Sequence, residues 1–430
     1  MNIAQLHQYF LDCDSFTTDT RKITKNAMFF ALKGEHFNGN EFAPEAIEKG
    51  AKYVIIDAPE FNNNDHTILV PNVLEALQEL ATFHRAYLNV PILALTGSNG
   101  KTTTKELINA VLAKSYKTTA TVGNWNNHIG VPLTLLSMTK DTEIGIVEMG
   151  ANHQKEIEFL CRIAKPDFGY ITNFGKAHLE GFGGVEGVIK GKSEMYQYLI
   201  ANNKTIFVNS DDPIQVEKTQ SANTINFGTK HNVNHSTIVL KNADPFVVVD
   251  IENITIQSQL IGTYNFSNIS AAIAIGKYFK VPINKIKLAI EEYAPQNNRS
   301  QIIIKGTTKI ILDAYNANPT SMSAALTNFN NQKHPNKIVI LGDMFELGDE
   351  APKEHKAIKT MVETLDLKKR ILIGENFFHT NNNTEAIDFY ESFDTFRKAV
   401  NPIDFENAFL LIKGSRGMAL ERVLTLIEKS

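Results

Sequence analysis

Cysteine is almost absent from this chain, and that scarcity excludes two kinds of stabilised domain. Cys13 and Cys161 are the only cysteines among 430 residues. Two cysteines supply neither a disulfide framework nor the clustered thiolates of a structural zinc site. Apolar residues, by contrast, make up 43% of the chain, which is enough to build hydrophobic cores and argues against disorder.

A positive charge excess and long apolar runs are also missing. Lys and Arg number 43 against 47 Asp and Glu, so the formal charge is −4 and we expect no nucleic-acid partner. No apolar run approaches the roughly 18 residues of a membrane span. Because Met1–His7 lacks a charged segment followed by an apolar one, we also expect no signal peptide. A cytoplasmic protein is the default expectation.

The most informative stretch runs from Pro91 to Thr104. An apolar run ends in a turn with two glycines, and a Lys-Thr pair opens a helical pattern, so the order is strand, phosphate loop and helix. Glycines let backbone N–H groups face an anion, and the helix dipole favours negative charge there. Lys101 can reach the terminal phosphates, and Thr102 can hold Mg²⁺. The candidate nucleotide-binding residues are Thr96, Gly97, Ser98, Asn99, Gly100, Lys101, Thr102 and Thr103.

One position departs from the general phosphate-loop pattern. Leu95 stands where that pattern has its first glycine, so the loop is a variant that a strict pattern search would miss. The alternative is an ordinary glycine-rich turn between a strand and a helix.

The length predicts two or three domains. We place them at residues 1–90, 91–295 and 296–430, and alternating strands and helices predict an α/β fold with parallel sheets. The predicted strands are Ala27–Leu32, Tyr53–Ile56, Ile92–Thr96, Ile144–Met149, Phe168–Thr172, Thr205–Asn209, Ile310–Leu312, Lys337–Leu341, Arg370–Ile373 and Phe409–Ile412.

Polar residues at the ends of parallel strands are the best candidates for a site, because ligands bind at that edge. Glu148 and His178 follow two central strands and are potential metal ligands. A carboxylate in the apolar run around Glu148 is costly unless it is paired. The alternatives are a buried salt bridge for Glu148 and a hydrogen-bonded loop histidine for His178.

Other candidates carry weaker signals. Arg21, beside Thr20, can grip a phosphate or form a surface salt bridge. Asn126 and Asn127 either present amides to a polar substrate or stabilise a turn. By composition Lys192, in a segment that opens a helix at Gly191, is a solvated lysine.

Three strand ends in the last domain carry polar clusters, and we expect them to form one active-site rim. Lys413–Arg416 is predicted to lie at a helix N-terminus, a natural anion site. The three clusters are Asp313–Pro319, Leu341–Gly348 and Lys413–Arg416.

Over essentially its whole length the chain resembles the Mur ligases, the ATP-dependent amide ligases of peptidoglycan and cell-wall synthesis. The resemblance rests on the loop Thr96–Thr102, on Glu148, on Asn173–Glu180 with its Ala-His-Leu-Glu, and on Lys192 in Lys-x-Glu. Four further runs resemble the branch that adds D-alanyl-D-alanine: Gly123–Pro132, Asp313–Pro319, Leu341–Met344 and Lys413–Arg416. One departure is Tyr264, where many relatives have histidine.

The resemblance implies a central phosphate-loop domain with a mostly parallel sheet, a small α/β N-terminal domain that binds the UDP substrate, and a Rossmann-like C-terminal domain. It implies that ATP phosphorylates the carboxylate of UDP-N-acetylmuramoyl-tripeptide, and that the amine of D-alanyl-D-alanine attacks the acyl phosphate. Two Mg²⁺ ions are implied, one at Thr102 and Glu148 and the other at His178 and a carbamate on Lys192. Lys101, Glu148, His178 and Lys192 are the implied catalytic residues, and Asn265, Arg299 and Asp313 hold the nucleotide. The implied substrate residues are Thr20, Arg21, Asn126, Asn127, Asn318 and Arg416, and a monomer is expected.

Three rival functions stay open at this point. A folylpolyglutamate synthetase would share the loop and the metal ligands. A nucleotide-hydrolysing switch would release phosphate without an amine acceptor. A small-molecule kinase would leave a stable phosphorylated product instead of an amide.

Overall fold

The computed structural model describes residues 1–62, 65–230, 235–296, 298–382 and 386–427. Contacts between residues divide the chain into two compact units. The first comprises Met1–Ala94, Lys117–Met149 and Glu158–Asp167, and the second comprises Leu95–Tyr116, Gly150–Ile157 and Phe168–Ser430. Within the described ranges, none of the helices combines the length and the apolar character that crossing a bilayer requires.

A small parallel sheet lies in the N-terminal part of the first unit. The elements up to residue 91 are α1 (Ile3–Leu11), β1 (Ser15–Thr17), β2 (Ala27–Phe30), β3 (Lys33–Gly34), β4 (Phe37–Asn38), α2 (Ala43–Glu48), β5 (Ala51–Ile56), β6 (Thr67–Leu69) and α3 (Val73–Leu88). Strands β1, β2, β5 and β6 pair in that order, all parallel. Phe29, Val54 and Ile56 pack with alanines of α2, so apolar strand residues and small helix residues build this core.

Two histidines are buried together between α1 and α3. His7 Nε2 lies 2.9 Å from His84 Nδ1, and His84 Nε2 lies 2.9 Å from the Met138 carbonyl oxygen. Because a carbonyl only accepts, His84 carries its proton on Nε2 and accepts from His7 Nε2–H. Both rings are therefore neutral, and burial together with the neighbouring His84 lowers the pKa of His7 to about 4.

This histidine pair predicts a loss of stability in acid. The pKa of His7 is lower in the folded state than its ordinary value of 6.5, so its contribution is full above that value and is lost as the pH falls toward 4. In the wild type, the free energy of unfolding should fall between about pH 7 and about pH 4.5, and His7 should contribute about 2 kcal/mol of that fall. We expect His7→Gln to lack this contribution. Urea denaturation at the two pH values measures this change. The exposed His36→Gln should keep the wild-type pH dependence, and an unchanged dependence in His7→Gln would contradict the assignment.

The longest strand series begins at residue 92. Its elements, through residue 292, are β7 (Ile92–Thr96), α4 (Lys101–Leu112), β8 (Thr118–Ala120), α5 (Gly130–Leu136), β9 (Ile144–Glu148), α6 (Glu156–Ala164), β10 (Phe168–Ile171), α7 (Leu179–Phe182), α8 (Val185–Ala201), β11 (Thr205–Asn209), α9 (Pro213–Lys218), β12 (Asn223–Gly228), β13 (His235–Thr237), β14 (Val239–Asn242), β15 (Phe246–Ile251), β16 (Ile254–Ile261), α10 (Asn265–Tyr278) and α11 (Ile283–Glu292).

Strand β7 begins in the first unit and ends in the second. In the first unit it lies beside β9, which pairs in parallel with β8. In the second unit its end lies beside β10, and β11, β12 and β13 follow as parallel neighbours. The loops after β7 and β10 therefore leave from the same edge of the sheet in the second unit, where α/β proteins bind ligands. Strands β14, β15 and β16 form a separate antiparallel sheet.

A third large sheet lies in the C-terminal part of the second unit. Its elements are β17 (Gln301–Lys305), β18 (Thr308–Asp313), α12 (Pro319–Asn331), β19 (Lys337–Gly342), α13 (Ala351–Thr364), β20 (Lys369–Ile373), α14 (Glu375–Phe378), β21 (Asp388–Tyr390), α15 (Phe393–Ala399), β22 (Phe409–Lys413) and α16 (Leu424–Ile427). The strand order is β17-β18-β22-β19-β20-β21, and only β17 is antiparallel to its neighbour. Ile310, Ile340 and Leu410 lie in its fully buried core.

All the predicted strands occur within two residues of their predicted bounds. Two predicted helix starts are wrong. Gly191–Met195 lies inside α8, which begins at Val185 after two glycines with left-handed φ angles. The segment that begins directly after Ser415 is a short 3-10 turn, Arg416–Met418, which ends where Ala419 takes a left-handed φ of 48°.

Candidate active site

The phosphate loop (residues 96–102) takes a backbone path that needs glycine at two positions. Gly97 and Gly100 have φ angles of 144° and 78°. A Cβ atom would lie 2.0 Å from Thr172 Oγ1 at the first position and 2.7 Å from Asn268 Oδ1 at the second. The N-terminus of α4 follows directly, where backbone N–H groups and the helix dipole favour an anion. The loop is therefore built as the sequence predicted.

Side chains that directly follow β10, and one that directly precedes α12, hold this loop in place. The Asn99 N–H donates to Asn173 Oδ1 at 3.1 Å, and Thr172 Oγ1 donates to the Asn99 carbonyl at 2.6 Å. Asn318 Nδ2 donates to Asn99 Oδ1 at 2.7 Å while Asn318 also caps α12. Ser98 Oγ donates to the Gly175 carbonyl at 2.7 Å. Asn318, expected on the substrate side, thus contacts the phosphate loop directly.

The lysine and two of the threonines of this region, Lys101, Thr102 and Thr103, lie in the first turn of α4. Lys101 Nζ donates to the Gly97 carbonyl at 2.7 Å, so the side chain folds back over the loop. Thr96 and Thr102 are buried, whereas Thr103 is half-buried. The ammonium group therefore lies against the loop that the sequence predicts to bind phosphate.

His178 faces a carboxylate that the sequence did not assign. His178 Nδ1 lies 2.6 Å from Glu346 Oε2, although the angle is not that of a well-formed hydrogen bond. The two segments also meet through their backbones, since the Glu180 N–H donates to the Glu346 carbonyl at 3.3 Å. His178 first, and Lys101 more weakly, hold the pKa of Glu346 below its usual range. Glu346 therefore lies within the electrostatic reach of the phosphate-loop lysine.

Lys192 is fully buried, which contradicts its interpretation as a solvated lysine. Its side chain is 0% exposed, Nζ donates to the Ala151 carbonyl at 3.1 Å, and Nζ lies 4.9 Å from the centre of the Phe182 ring. Burial, reinforced by the positive charge of Lys101, holds the pKa of Lys192 well below its ordinary range. Burial therefore disfavours the charged form of this amine.

Glu148 is a buried carboxylate in the first unit, 1% exposed at the end of β9. Asn126 Nδ2 donates to Glu148 Oε1 at 2.8 Å, and the Glu148 N–H donates to Thr121 Oγ1 at 2.9 Å. Asn127 accepts from the N–H groups of Ile129 and Gly130 through its side chain. Asn127 thus stabilises the turn, which is one of the two roles expected from the sequence, whereas Asn126 donates a hydrogen bond to the Glu148 carboxylate.

The predicted nucleotide residues lie around the start of α10 and the end of β18, in the second unit. Asn265 is buried and donates through Nδ2 to the Ile261 carbonyl at 2.8 Å. Asp313 accepts from Lys413 Nζ at 2.6 Å and from the Ser300 N–H at 3.1 Å. Arg299 stacks over the Tyr315 ring, with its guanidinium carbon 3.7 Å from the ring centre. Each residue is thus held by a defined partner.

Two of the predicted substrate residues of the first unit, Thr20 and Arg21, line a cavity of about 320 Å³. Thr20 and Arg21 lie on its wall together with Phe29, Phe37 and Phe42. The Arg21 guanidinium pairs with both carboxylate oxygens of Asp19 at 2.8–2.9 Å, and its side chain is 86% exposed. The surface salt bridge that the sequence left open is therefore formed, beside an aromatic pocket. In the second unit Arg416 is likewise exposed and pairs with Glu421 at 2.9 Å.

The predicted metal ligands are chemically suited to Mg²⁺. In the part of the chain that the structure describes, no three His, Cys, Asp or Glu side chains form a ready-made metal site. The donors are instead a buried hydroxyl (Thr102), a buried carboxylate (Glu148), an imidazole (His178) and a buried lysine (Lys192). Mg²⁺ prefers oxygen ligands, so the Thr102 hydroxyl in the second unit and the Glu148 carboxylate in the first unit each suit it, whereas Lys192 would suit it only as a carbamate.

Sequence models of three domains match successive parts of the chain. They are described as Mur ligase family, catalytic domain (residues 14–85), Mur ligase middle domain (residues 95–276) and Mur ligase, glutamate ligase domain (residues 298–416). The chain belongs to the Mur ligase family, and it has that family's three-domain α/β architecture.

Comparison with individual proteins shows which Mur ligases this chain is similar to. The UDP-N-acetylmuramoyl-tripeptide–D-alanyl-D-alanine ligase of Bacillus subtilis is 35% identical over 420 residues, which are 95% of this chain and 91% of that protein. The crystal structure of MurF from Acinetobacter baumannii matches with a TM-score of 0.87 at 28% identity, covering 100% of this chain and 99% of that one. The MurF ligase of Thermotoga maritima, solved in complex with ADP, matches with a TM-score of 0.83 at 25% identity and covers 98% of each chain.

Three residues of the site were not singled out from the sequence. Asn268 and Asn173 contact the phosphate loop, and Glu346 contacts His178. Asn173 and Glu346 both follow the ends of parallel strands, and the sequence analysis named their segments, Asn173–Glu180 and Leu341–Gly348, without giving either residue a role of its own. Asn268 lies one turn into α10, where only the tertiary contact reveals it.

Proposed function

We propose that this protein joins D-alanyl-D-alanine to UDP-N-acetylmuramoyl-tripeptide with ATP, in the synthesis of peptidoglycan precursor. The observation that carries the proposal is the grouping of charged side chains around one phosphate loop. Lys101 lies over that loop, and its charge reaches both Glu346, the partner of His178, and the buried Lys192. The near full-length similarity to ligases named for this reaction supports the same substrates.

The main barrier to this reaction is charge repulsion. The tripeptide carboxylate has to approach the γ-phosphate of ATP, and both are anionic. Lys101 and the N-terminus of α4 offset that repulsion and stabilise the charge on the transferring phosphoryl group. Carboxylate oxygen then bonds to phosphorus as ADP leaves, and the amine of D-alanyl-D-alanine displaces phosphate from the acyl carbon.

Mg²⁺, when bound, would supply positive charge that offsets the negative charge of the phosphates. We assign Thr102, Glu148, His178 and Lys192 as its ligands, with two ions as the resemblance implies. Lys192 is the unusual member, because an ammonium group repels a cation. A neutral buried amine can attack CO₂ and lose a proton, and the resulting carbamate is an anion that can hold a metal.

The remaining residues are assigned to the two ends of the substrates. We propose that Asn265, Arg299 and Asp313 hold the nucleotide, with Asp313 on the ribose. The cavity beside Thr20 and Arg21 has aromatic walls and a guanidinium at its rim, which suit a nucleoside diphosphate. Asn126, Asn127, Asn318 and Arg416 stay predicted substrate residues.

Domain bounds at 1–90, 91–295 and 296–430 are supported by the family matches, which begin and end near them. The monomeric state stays a prediction.

A coupled assay of ADP release tests this function. Full-length protein is mixed with ATP, Mg²⁺ and UDP-N-acetylmuramoyl-tripeptide, with and without D-alanyl-D-alanine. We expect sustained ADP release only when both substrates are present. Release without either substrate would indicate a nucleotide-hydrolysing switch. A stable phosphorylated product that forms without the dipeptide would indicate a kinase.

A further inference from the structure

We propose that Glu346 is a positioning residue for His178, and that it makes the metal site depend on the loop that follows β19. This inference rests on the proposed metal role of His178. The loop is Leu341–Gly348, which the sequence assigned to the active-site rim without a role for its glutamate. His178 and Glu346 come from different predicted domains and meet in the second unit.

The geometry fixes which imidazole nitrogen can bind a metal. His178 Nδ1 lies 2.6 Å from Glu346 Oε2. The angle is not that of a formed hydrogen bond, but a carboxylate this close favours a neutral ring that carries its proton on Nδ1 and keeps the lone pair on Nε2. Histidines that bind metals commonly give their other ring N–H to a carboxylate in this way, which fixes the tautomer and orients the ring.

Backbone strain on both sides of the contact supports a functional role. His178 has a φ of 53° and Glu346 a φ of 62°, which is left-handed backbone that residues with a Cβ rarely adopt. Such strain persists only where surrounding contacts enforce it. The two residues that make this contact therefore both lie in left-handed backbone.

Buried groups hold the loop in that conformation. The Met344 N–H donates to His355 Nε2 at 3.0 Å, and the Phe345 N–H donates to Ser415 Oγ at 2.8 Å. His355 and Ser415 are 0% and 2% exposed. The two residues that precede Glu346 are therefore anchored by the C-terminal part of the second unit, so its carboxylate is presented at a fixed place.

The consequence is a link between this loop and metal affinity. When the loop is in place, His178 is oriented with Nε2 available as a ligand. Without the Glu346 carboxylate, the ring would lose this partner and could adopt the other tautomer. Loss of a residue that hydrogen-bonds to a metal ligand typically weakens metal binding by about 10- to 100-fold.

Binding of Mn²⁺ as a probe for Mg²⁺ tests this inference without turnover. Mn²⁺ is titrated into the full-length protein with a non-hydrolysable ATP analogue, and bound ion is measured by electron paramagnetic resonance. Glu346→Ala should weaken the His178-dependent site by about 10-fold, and Glu346→Gln, which keeps an acceptor oxygen, should weaken it less. Glu350→Ala is the matched control, because it removes a charge from the same region that pairs with Lys353 instead. Nitrogen NMR of the metal-free proteins should show His178 protonated on Nδ1 in the wild type and no longer fixed there in Glu346→Ala.

The variant His178→Ala distinguishes a failure of the metal role of His178 from a failure of the positioning role of Glu346. If His178→Ala leaves Mn²⁺ binding unchanged, the proposed metal role of His178 fails. If His178→Ala weakens binding while Glu346→Ala does not, only the positioning role is overturned. Tighter Mn²⁺ binding in Glu346→Ala would also overturn it, since the carboxylate would then be competing with the ion. A thermal melt of each variant confirms that it is folded.

Discussion

Lys192→Ala should abolish ligation, with a fall in kcat of about 10³-fold, and a short carboxylic acid such as acetate should partly restore it. The reason is the burial of Lys192, which is 0% exposed beside the Phe182 ring. A bare ammonium there would repel Mg²⁺, whereas the proposed carbamate binds it. Alanine leaves a cavity in which an added carboxylate can replace the carbamate. The measurement is kcat at increasing acetate concentration.

Two matched variants control this result. Lys192→Met fills the same space with an uncharged chain, so it should be as inactive as alanine and should not respond to acetate. Lys190→Ala removes an exposed lysine from the same helix and should be close to wild type. An active Lys192→Ala enzyme, or equal rescue of Lys192→Met, would remove the carbamate from the mechanism.

Lys101→Met should lower kcat by about 10³-fold as well, with little change in stability. Lys101 reaches back over the loop to the Gly97 carbonyl. In the proposed reaction its ammonium group would face the γ-phosphate. Methionine keeps the length of the side chain and removes the charge that stabilises the transferring group. Rapid-quench measurement of ADP formation in one turnover isolates this step.

Lys117→Met is the control for charge alone, because its side chain is 70% exposed and lies in the first unit. Its kcat should match the wild type. If Lys101→Met forms ADP at the wild-type rate in a single turnover, the loop does not stabilise phosphoryl transfer as proposed.

Local sequence was sufficient for the phosphate loop. The apolar run, the two glycines and the Lys-Thr pair are all neighbours in sequence, and each acts through backbone geometry. Leu95, the departure from the general pattern, is fully buried in β7, so that position serves the sheet and not the loop. Strand positions were predictable for a similar reason, because buried parallel strands are continuous apolar runs.

Burial by distant residues was not predictable. The sequence around Lys192 reads as an ordinary helix, yet Gly191 lies so close to the Phe182 ring that a Cβ would be 2.4 Å from it. That close packing removes water from Lys192 and lowers its pKa. Only the resemblance, and not the composition, indicated a special role for this lysine.

Pairing between remote segments was equally hidden. Glu346 and His178, and Asn318 and Asn99, are brought together by tertiary structure. Strand ends indicate which residues can reach one edge of a sheet, but not which of them touch. For Arg21 the sequence left two options, and the structure shows the ion pair with Asp19.

Transfer of labelled oxygen tests the central claim most directly. The terminal carboxylate of the tripeptide in UDP-N-acetylmuramoyl-tripeptide is enriched in ¹⁸O, and the full-length protein is supplied with ATP, Mg²⁺ and D-alanyl-D-alanine. If the carboxylate is phosphorylated and the amine then displaces phosphate, one labelled oxygen leaves with each phosphate as the amide forms. We predict singly labelled phosphate and an equal amount of the dipeptide-extended product. Unlabelled phosphate, or labelled phosphate without the amide, would contradict the account.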